Sequence, residues 1–504
     1  LGNRNIEVAR AYHAATKHSY TSVRADRHYL DWDNRPMPYK LYPEVAGFAL
    51  PRDLSLAQVP TLAAITADGA KDGAGKELGL EGLTRILFCA DGLTRRKRVG
   101  GEDYHFRAAP SAGALYPVEL YVAAVAVEGL ERGLYHFSPA DLRLRGLRRG
   151  DWRAFITRAA AGRPSLLKAR AIVVMSALFW RSTWKYRARA WRYCLWDAGT
   201  LLANLLAAAA AEGLSTDLVT AFADPEIEAL LDIDGEREGA LCIVALGADA
   251  PAPGESPELR PLGLETVPLS AEEVGYPDLV RIHRESRLLD ADEVAAVAAA
   301  QPAPAAATAR GKVVRPKRLD TDAGAGLGET ILRRGSTRVF AHAPITAEEL
   351  ATIMAASSGH PRSDFPPLSE TYLIVNAVEG MEPGAYYYHH HSGEFELLKA
   401  GNFRGEAGYL CLEQPLGADC AALVCYMADL ERGLGALGNR AYRDAHLEAG
   451  LHAGRVYLAA YALGRGATGL TFYDDDTTDF FAPHAAGKSP LLMVALGVPR
   501  AASE

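Results

Sequence analysis

The sequence predicts an α+β protein made of two related halves in tandem, on three observations. A set of short motifs recurs at a near-constant offset, both halves run through the same order of strands and helices, and an Ala/Pro tract lies between them. AVEGLERGLY (Ala126 to Tyr135) recurs as AVEGMEPGAY (Ala377 to Tyr386), RAWR (Arg189 to Arg192) as RAYR (Arg440 to Arg443), and Asp197-Ala198-Gly199 as Glu448-Ala449-Gly450, each 251 residues on. VALG at Val244 recurs at Val494, 250 residues on.

In the first half, Leu120 to Val127 (LYVAAVAV) reads as a buried strand, GLYHFSPADLRLRGL as a hairpin about its Ser-Pro-Ala-Asp turn, and Ala171 to Leu178 as a further strand. A helix from about Ala190 to Glu212 follows. It is apolar over most of its circumference, which requires packing on several sides, and Gly213 sits where a C-terminal cap belongs. Leu241 to Leu246 closes the half. TYLIVNAV, YYYHHHSGEFELL, AALVCYMA, a helix from about Arg440 to Leu463, and PLLMVALG repeat this order. AVAAAQPAPAAATARGK has too few large apolar groups to fold alone and reads as a linker. The expected division is a first domain over 1–262, a helical and Ala/Pro-rich linker over 263–318, and a second domain over 319–504, with the boundary near residues 295 to 318.

With 49% hydrophobic and 23% charged residues, the 504-residue chain has the composition of a globular protein with at least two cores. A net charge of -8 argues against nucleic acid or an anionic membrane surface as partner. Small molecules, peptides or another copy remain, and further oligomerisation is left open. Six scattered cysteines with no CxxC pair read as buried core thiols of a reducing compartment. The N-terminus lacks a secretory apolar run, and Leu201 to Ala211 is too short to span a bilayer, so a cytoplasmic location is expected.

Several motifs carry little. His389-His390-His391 falls at a hairpin tip, where neighbours cannot all face one metal, so no metal site is expected. Asp474-Asp475-Asp476 reads as a solvated loop. GAGKE at Gly73 lacks parts of a P-loop, and GAGLGE at Gly324 does not fit a dinucleotide fingerprint.

PSAGALYPVELYVA (Pro110 to Ala123), GLYHF and WKYRARAWRYCLWDAGTLLANLLAAAAAEGL (Trp184 to Leu214) together resemble the SagB-type dehydrogenases, the flavin azoline oxidases of the nitroreductase superfamily. RRGSTRVF (Arg333 to Phe340) is similar to that superfamily's opening signature, R-x-S-x-[KR]-x-F. The resemblance implies a mixed sheet flanked by helices, two such units interlocked, and FMN at their interface. A tandem chain then forms an intramolecular pseudo-dimer.

Arginine's planar fork suits a phosphate. Arg334, Ser336 and Arg338, if extended, lie on one side of the backbone and form the expected phosphate grip, although the same residues also read as a solvated basic turn. The flavin ring needs close backbone approach, for which Pro110, Ser111, Ala112, Gly113 and Leu115 of the first half are the candidates. Thr468, Gly469 and Leu470 resemble the family's small-residue stretch near the redox edge and read equally as a turn into a strand. Arg500 is a weaker phosphate candidate. The second half carries HPRSDFPPLSETYL in place of PSAGALYP, and the first half shows no R-x-S-x-R, so one FMN per chain is expected.

Lys185 and Tyr186 match a Lys-Tyr pair that azoline oxidases need. Tyr186 is expected to transfer the proton with Lys185 as electrostatic partner, a nearby cation favouring the phenolate. The alternative is a basic, aromatic helix start that shapes a mouth. Three functions follow: an FMN oxidoreductase acting on azoline-type or other small or peptide-derived substrates, a nitro- or quinone reductase fed by a nicotinamide donor, or a degenerate flavin- or partner-binding paralogue.

Overall fold

The computed structural model describes residues 2–67, 77–99, 101–300, 302 and 311–500. Each half carries a seven-stranded sheet of one and the same strand order. In the first it is Gly47–Ala49, Arg143–Arg149, Gly133–Ser138, Val118–Ala124, Ala171–Leu178, Glu238–Leu246, Thr216–Val219; in the second, Val313–Val314, Glu394–Ala400, Gly384–His389, Glu370–Val375, Ala422–Ala428, Ser489–Gly497, Gly466–Leu470. Neighbours within both sheets pair antiparallel. Parallel pairing enters through a two-residue ladder in each half, Leu78–Gly79 with Val127–Glu128 and Ile345–Thr346 with Val378–Glu379, so strand directions are mixed. That ladder explains the repeated AVEG. The valine and glutamate pair, and Gly129 and Gly380 turn the chain at φ +84 and +87, a conformation in which other residues are strained.

The two core helices, Ala190–Ala211 and Arg440–Ala462, cross at the repeated glycines. A Cβ on Gly199 would stand 2.3 Å from the Leu447 carbonyl, and one on Gly450 2.5 Å from the Trp196 carbonyl. Only hydrogen lets the backbones meet this closely, and the halves are thereby packed along their most buried elements.

The repeated R-A-x-R motifs tie the halves reciprocally. Arg189 and Arg192 reach Asp474 of the second half, Nη1 to carboxylate at 3.0 and 2.8 Å, while Arg440 and Arg443 reach Asp224 of the first, each at 2.8 Å. Both aspartates are fully buried and held below their ordinary pKa by these guanidiniums, against the burial that would raise them. The expectation of a solvated Asp474-Asp475-Asp476 loop is therefore corrected. Asp474 opens the helix Asp474–Phe481 inside the protein, and only its two successors face outward, toward Lys17 and Tyr409.

Helices Pro277–Glu285 and Ala291–Ala299 occupy part of the segment between the halves, and the first buries Leu279, Ile282 and His283, the last against Phe179 and Trp191. All six cysteines are free and buried. The run 179–211 is long and apolar enough to cross a membrane, which Leu201 to Ala211 alone is not, but 89% of its most apolar window is buried within the protein. His389 and His390 bond to Glu396 and Thr371, and no metal-ligand cluster occurs among the described residues. Of the GAGKE motif, residues 73–76 lie outside the described residues.

Candidate active site

The Pro110–Gly113 turn is held on the first core helix. Asp197 accepts from Ser111 Oγ at 2.5 Å and from the Ala112 N–H at 3.0 Å, Thr200 Oγ1 donates to the Pro110 carbonyl at 2.8 Å, and Ser111 Oγ accepts from the Tyr116 N–H at 2.9 Å. Burial pushes the Asp197 carboxyl up to about 7 against these hydrogen bonds. Gly113, Ala114 and Tyr116 all take positive φ, so the turn is fixed by its contacts and not by preference. Leu115 is buried in a small apolar cluster with Leu178, Trp180, Trp184 and Leu269.

Lys185 and Tyr186 end the helix Phe179–Tyr186, and both side chains flank Gly113. A Cβ there would lie 2.9 Å from Tyr186 Oη and 3.3 Å from Lys185 Cδ. Adjacent side chains on a helix leave in different directions, yet both reach the turn through their far ends, and the helix breaks just after them at Arg187, φ +50. The Tyr186 ring stacks on Tyr193 at 4.0 Å and 7°.

The surroundings of the pair disfavour the phenolate that a nearby cation was expected to favour. Burial, then Tyr193 and Asp197, raise the Tyr186 phenol well above its usual value, which Arg338 offsets only in part. Loss of solvent and then the Arg338 guanidinium lower the Lys185 ammonium. Tyr186 is thus a neutral O–H, and Lys185 is the more readily deprotonated of the two.

The second half supplies the facing wall. Arg334 and Ser336 both meet Tyr457 of the second core helix, the guanidinium 5.9 Å from its ring centroid and Ser336 Oγ 3.3 Å from its hydroxyl. Arg334 is buried, and its Nε and Nη2 each donate at 2.9 Å, to the carbonyls of Ala108 and Arg107 in the first half. Arg338 is exposed. The strict alternation expected of an extended stretch is broken at Thr337, which turns in toward Tyr461.

Thr468, Gly469 and Leu470 form part of the edge strand Gly466–Leu470, where Thr468 is buried and the Gly469 N–H donates to Tyr457 Oη at 2.6 Å. Thr471 Oγ1 lies 3.3 Å from Tyr193 Oη across the seam. The Arg500 N–H donates to the Val339 carbonyl at 3.0 Å, which sets it beside the same stretch.

The candidates from both halves therefore line one seam. Asp197, Tyr193 and Tyr457 also belong to it and were not singled out from sequence; Asp197 stood in a repeated motif, and it and Tyr193 lie in the Trp184 to Leu214 stretch that carries the resemblance. At the symmetry-related place Glu448 binds His360 Nδ1 at 2.8 Å and the N–H groups of Leu368 and Ser369 at 2.9 and 2.7 Å. His360 holds Glu448 down to about 2 despite burial, and Glu448 raises His360.

Fold and seam define a self-paired tandem α+β protein whose candidate site residues lie between its halves. The nitroreductase family model matches residues 76–248 and 331–498, and the chain belongs to the nitroreductase family. A protein of Methanocaldococcus jannaschii named as a nitroreductase is 31% identical over 34% of this chain and 81% of its own length.

The trifolitoxin-processing protein TfxB of Rhizobium leguminosarum bv. trifolii is 29% identical over 33% of this chain, and the microcin B17-processing protein McbC of Escherichia coli 24% over 27%. The chain spans about half the length of these two, 46% and 53%. A crystal structure from Anabaena variabilis, of a protein also named as a nitroreductase, superposes with TM-score 0.77 at 26% identity over 98% of this chain and 99% of its own, so it shares the two-half arrangement. The tandem form and the likeness to SagB-type members expected from sequence agree with these matches.

Proposed function

We propose that the chain is an FMN-dependent oxidoreductase that holds a single flavin along the seam. The observation that carries this is the convergence of Pro110–Gly113, Lys185 and Tyr186 from one half with Ser336, Arg338 and Gly469 from the other. The donor set fits FMN: among the described residues no carboxylate pairs with Arg334 or Arg338, so positive charge lies uncompensated where a phosphate would enter. Ser336 and Arg338 would hold that phosphate, and the Pro110–Gly113 turn would face the ring.

FMN, when bound, supplies a two-electron hydride acceptor or donor. Lys185 in its uncharged form takes the substrate proton, and Tyr186 presents a neutral O–H beside it, positioned by Tyr193. The relatives named for trifolitoxin and microcin B17 processing support an azoline-type or other peptide-derived substrate. The archaeal relative named as a nitroreductase supports the second reading, reduction of a small substrate by a nicotinamide donor.

Flavin stoichiometry on freshly purified protein tests the proposal, with one FMN released per chain expected. Colourless protein that refuses added FMN overturns it. Rapid bleaching by NADH or NADPH selects the reductase, and bleaching only by an azoline peptide the oxidase.

A further inference from the structure

The first half carries a separate two-stranded hairpin, Leu93–Val99 with Glu102–Arg107, whose first strand reads LTRRKRV. Its base is tied to the second half, since Arg107 and Ala108 supply the carbonyls that occupy Arg334. Arg95 pairs opposite Phe106 and lies over that ring at 4.9 Å. From there it crosses the seam, so that a side chain on Gly335 would meet the Arg95 guanidinium at 3.6 Å. Its neighbour Arg96 is matched by Asp103, but among the described residues no carboxylate or carbonyl accepts from Arg95. Arg334 is committed to carbonyls, so among the described residues the guanidiniums of this stretch that neither a carboxylate nor a carbonyl occupies are Arg338, Arg500 and, from the opposite half, Arg95. Burial and, among the charges nearby, Arg95 work against the charged Arg334, and a bound dianion relieves such repulsion between like charges.

We propose that Arg95 is a phosphate-binding residue of the composite site, so that a phosphomonoester dianion is gripped between the first half's hairpin and the Ser336–Arg338 stretch of the second. This rests on the FMN reading above and adds that both halves, not the second alone, hold the phosphate. The role taken from Arg334 by its carbonyl contacts passes to a residue outside the R-x-S-x-R signature.

The test titrates FMN and riboflavin, which differ by the phosphate, into deflavinated protein and follows flavin fluorescence. Wild type is expected to favour FMN. Arg95→Ala is expected to weaken FMN binding by about tenfold or more, as for loss of a charge-assisted contact, and to leave riboflavin binding unchanged. Arg95 is exposed and its side chain makes no hydrogen bond among the described residues, so the variant keeps the fold. Arg96→Ala is the control and should retain the wild-type preference. An unchanged FMN preference in Arg95→Ala, or an equal loss in Arg96→Ala, overturns the assignment while leaving the FMN reading standing. Wild type with no preference for FMN defeats that reading, and this inference with it.

Discussion

Asp474→Ala removes the acceptor of one clasp and leaves two guanidiniums inside the protein, Arg189 at 5% and Arg192 at 0% side-chain exposure. Breaking a buried ion pair from one side costs about 3–5 kcal/mol, and two stranded cations together with the lost His18 N–H contact at 2.8 Å place this case near the upper end, about 4–5 kcal/mol. Unfolding entropy of about 2.1 cal/mol/K per residue amounts to about 1 kcal/mol/K for a chain of this size, so Tm should fall by about 4–5 K when the halves melt together. Scanning calorimetry with far-UV dichroism measures it. The apolar triple replacement Arg189→Met, Arg192→Met, Asp474→Leu should recover most of the loss, since it removes the uncompensated charge along with the pair. A drop below about 1 K for Asp474→Ala would refute the reasoning. The arginines hold Asp474 below its ordinary 3.8, so the clasp's contribution is complete above that value and fades as pH falls through the lower, folded-state value.

Gly450→Ala, whose Cβ would press on the Trp196 carbonyl, should cost about 1–3 kcal/mol or more in a thermal melt, whereas Gly435→Ala, with nothing within 4 Å, should not destabilise. Arg187→Gly relieves a positive φ that its repeat partner Gly438 adopts freely, and a stability gain of about 1 kcal/mol is expected; its exposed pair with Asp26 gives up little. Asp197 titrates near 7 folded against 3.8 as a free side chain, so its neutral form stabilises fully below 3.8 and that contribution is lost as pH rises through about 7. Asp197→Asn should flatten the decline in Tm between the free value of 3.8 and about 7, and a variant that still declines like wild type there removes Asp197 as the cause. For turnover, a lowered Lys185 predicts a rate that rises with pH to a midpoint below 10.5, and Lys185→Met should abolish that rise while FMN stays bound.

Much of the architecture was legible because duplication writes it twice. The offset of 251 located both core helices, and it marked Gly199 and Gly450 before their crossing was visible. R-A-x-R was equally marked, but its partners were not. Asp224 and Asp474 lie in the opposite half, and a run of three aspartates has the local appearance of solvated surface whether or not its first member is buried.

Arg334 and Arg95 show the same limit from the other side. A guanidinium is read for its charge, yet whether it meets a carbonyl or open solvent depends on a segment more than two hundred residues away. The acidity of Lys185 and Tyr186 depends on burial and on Arg338, neither of which their neighbours in sequence disclose.

In a symmetric pair of identical subunits every substitution arrives in duplicate, so neither cleft can change without its twin. Joining the two units end to end removes that constraint. Partner encounter also becomes independent of dilution, because each arginine clasp closes within one molecule. His360 then bonds Glu448 in one half, while the matching place in the other holds Asp197 and its glycine turn.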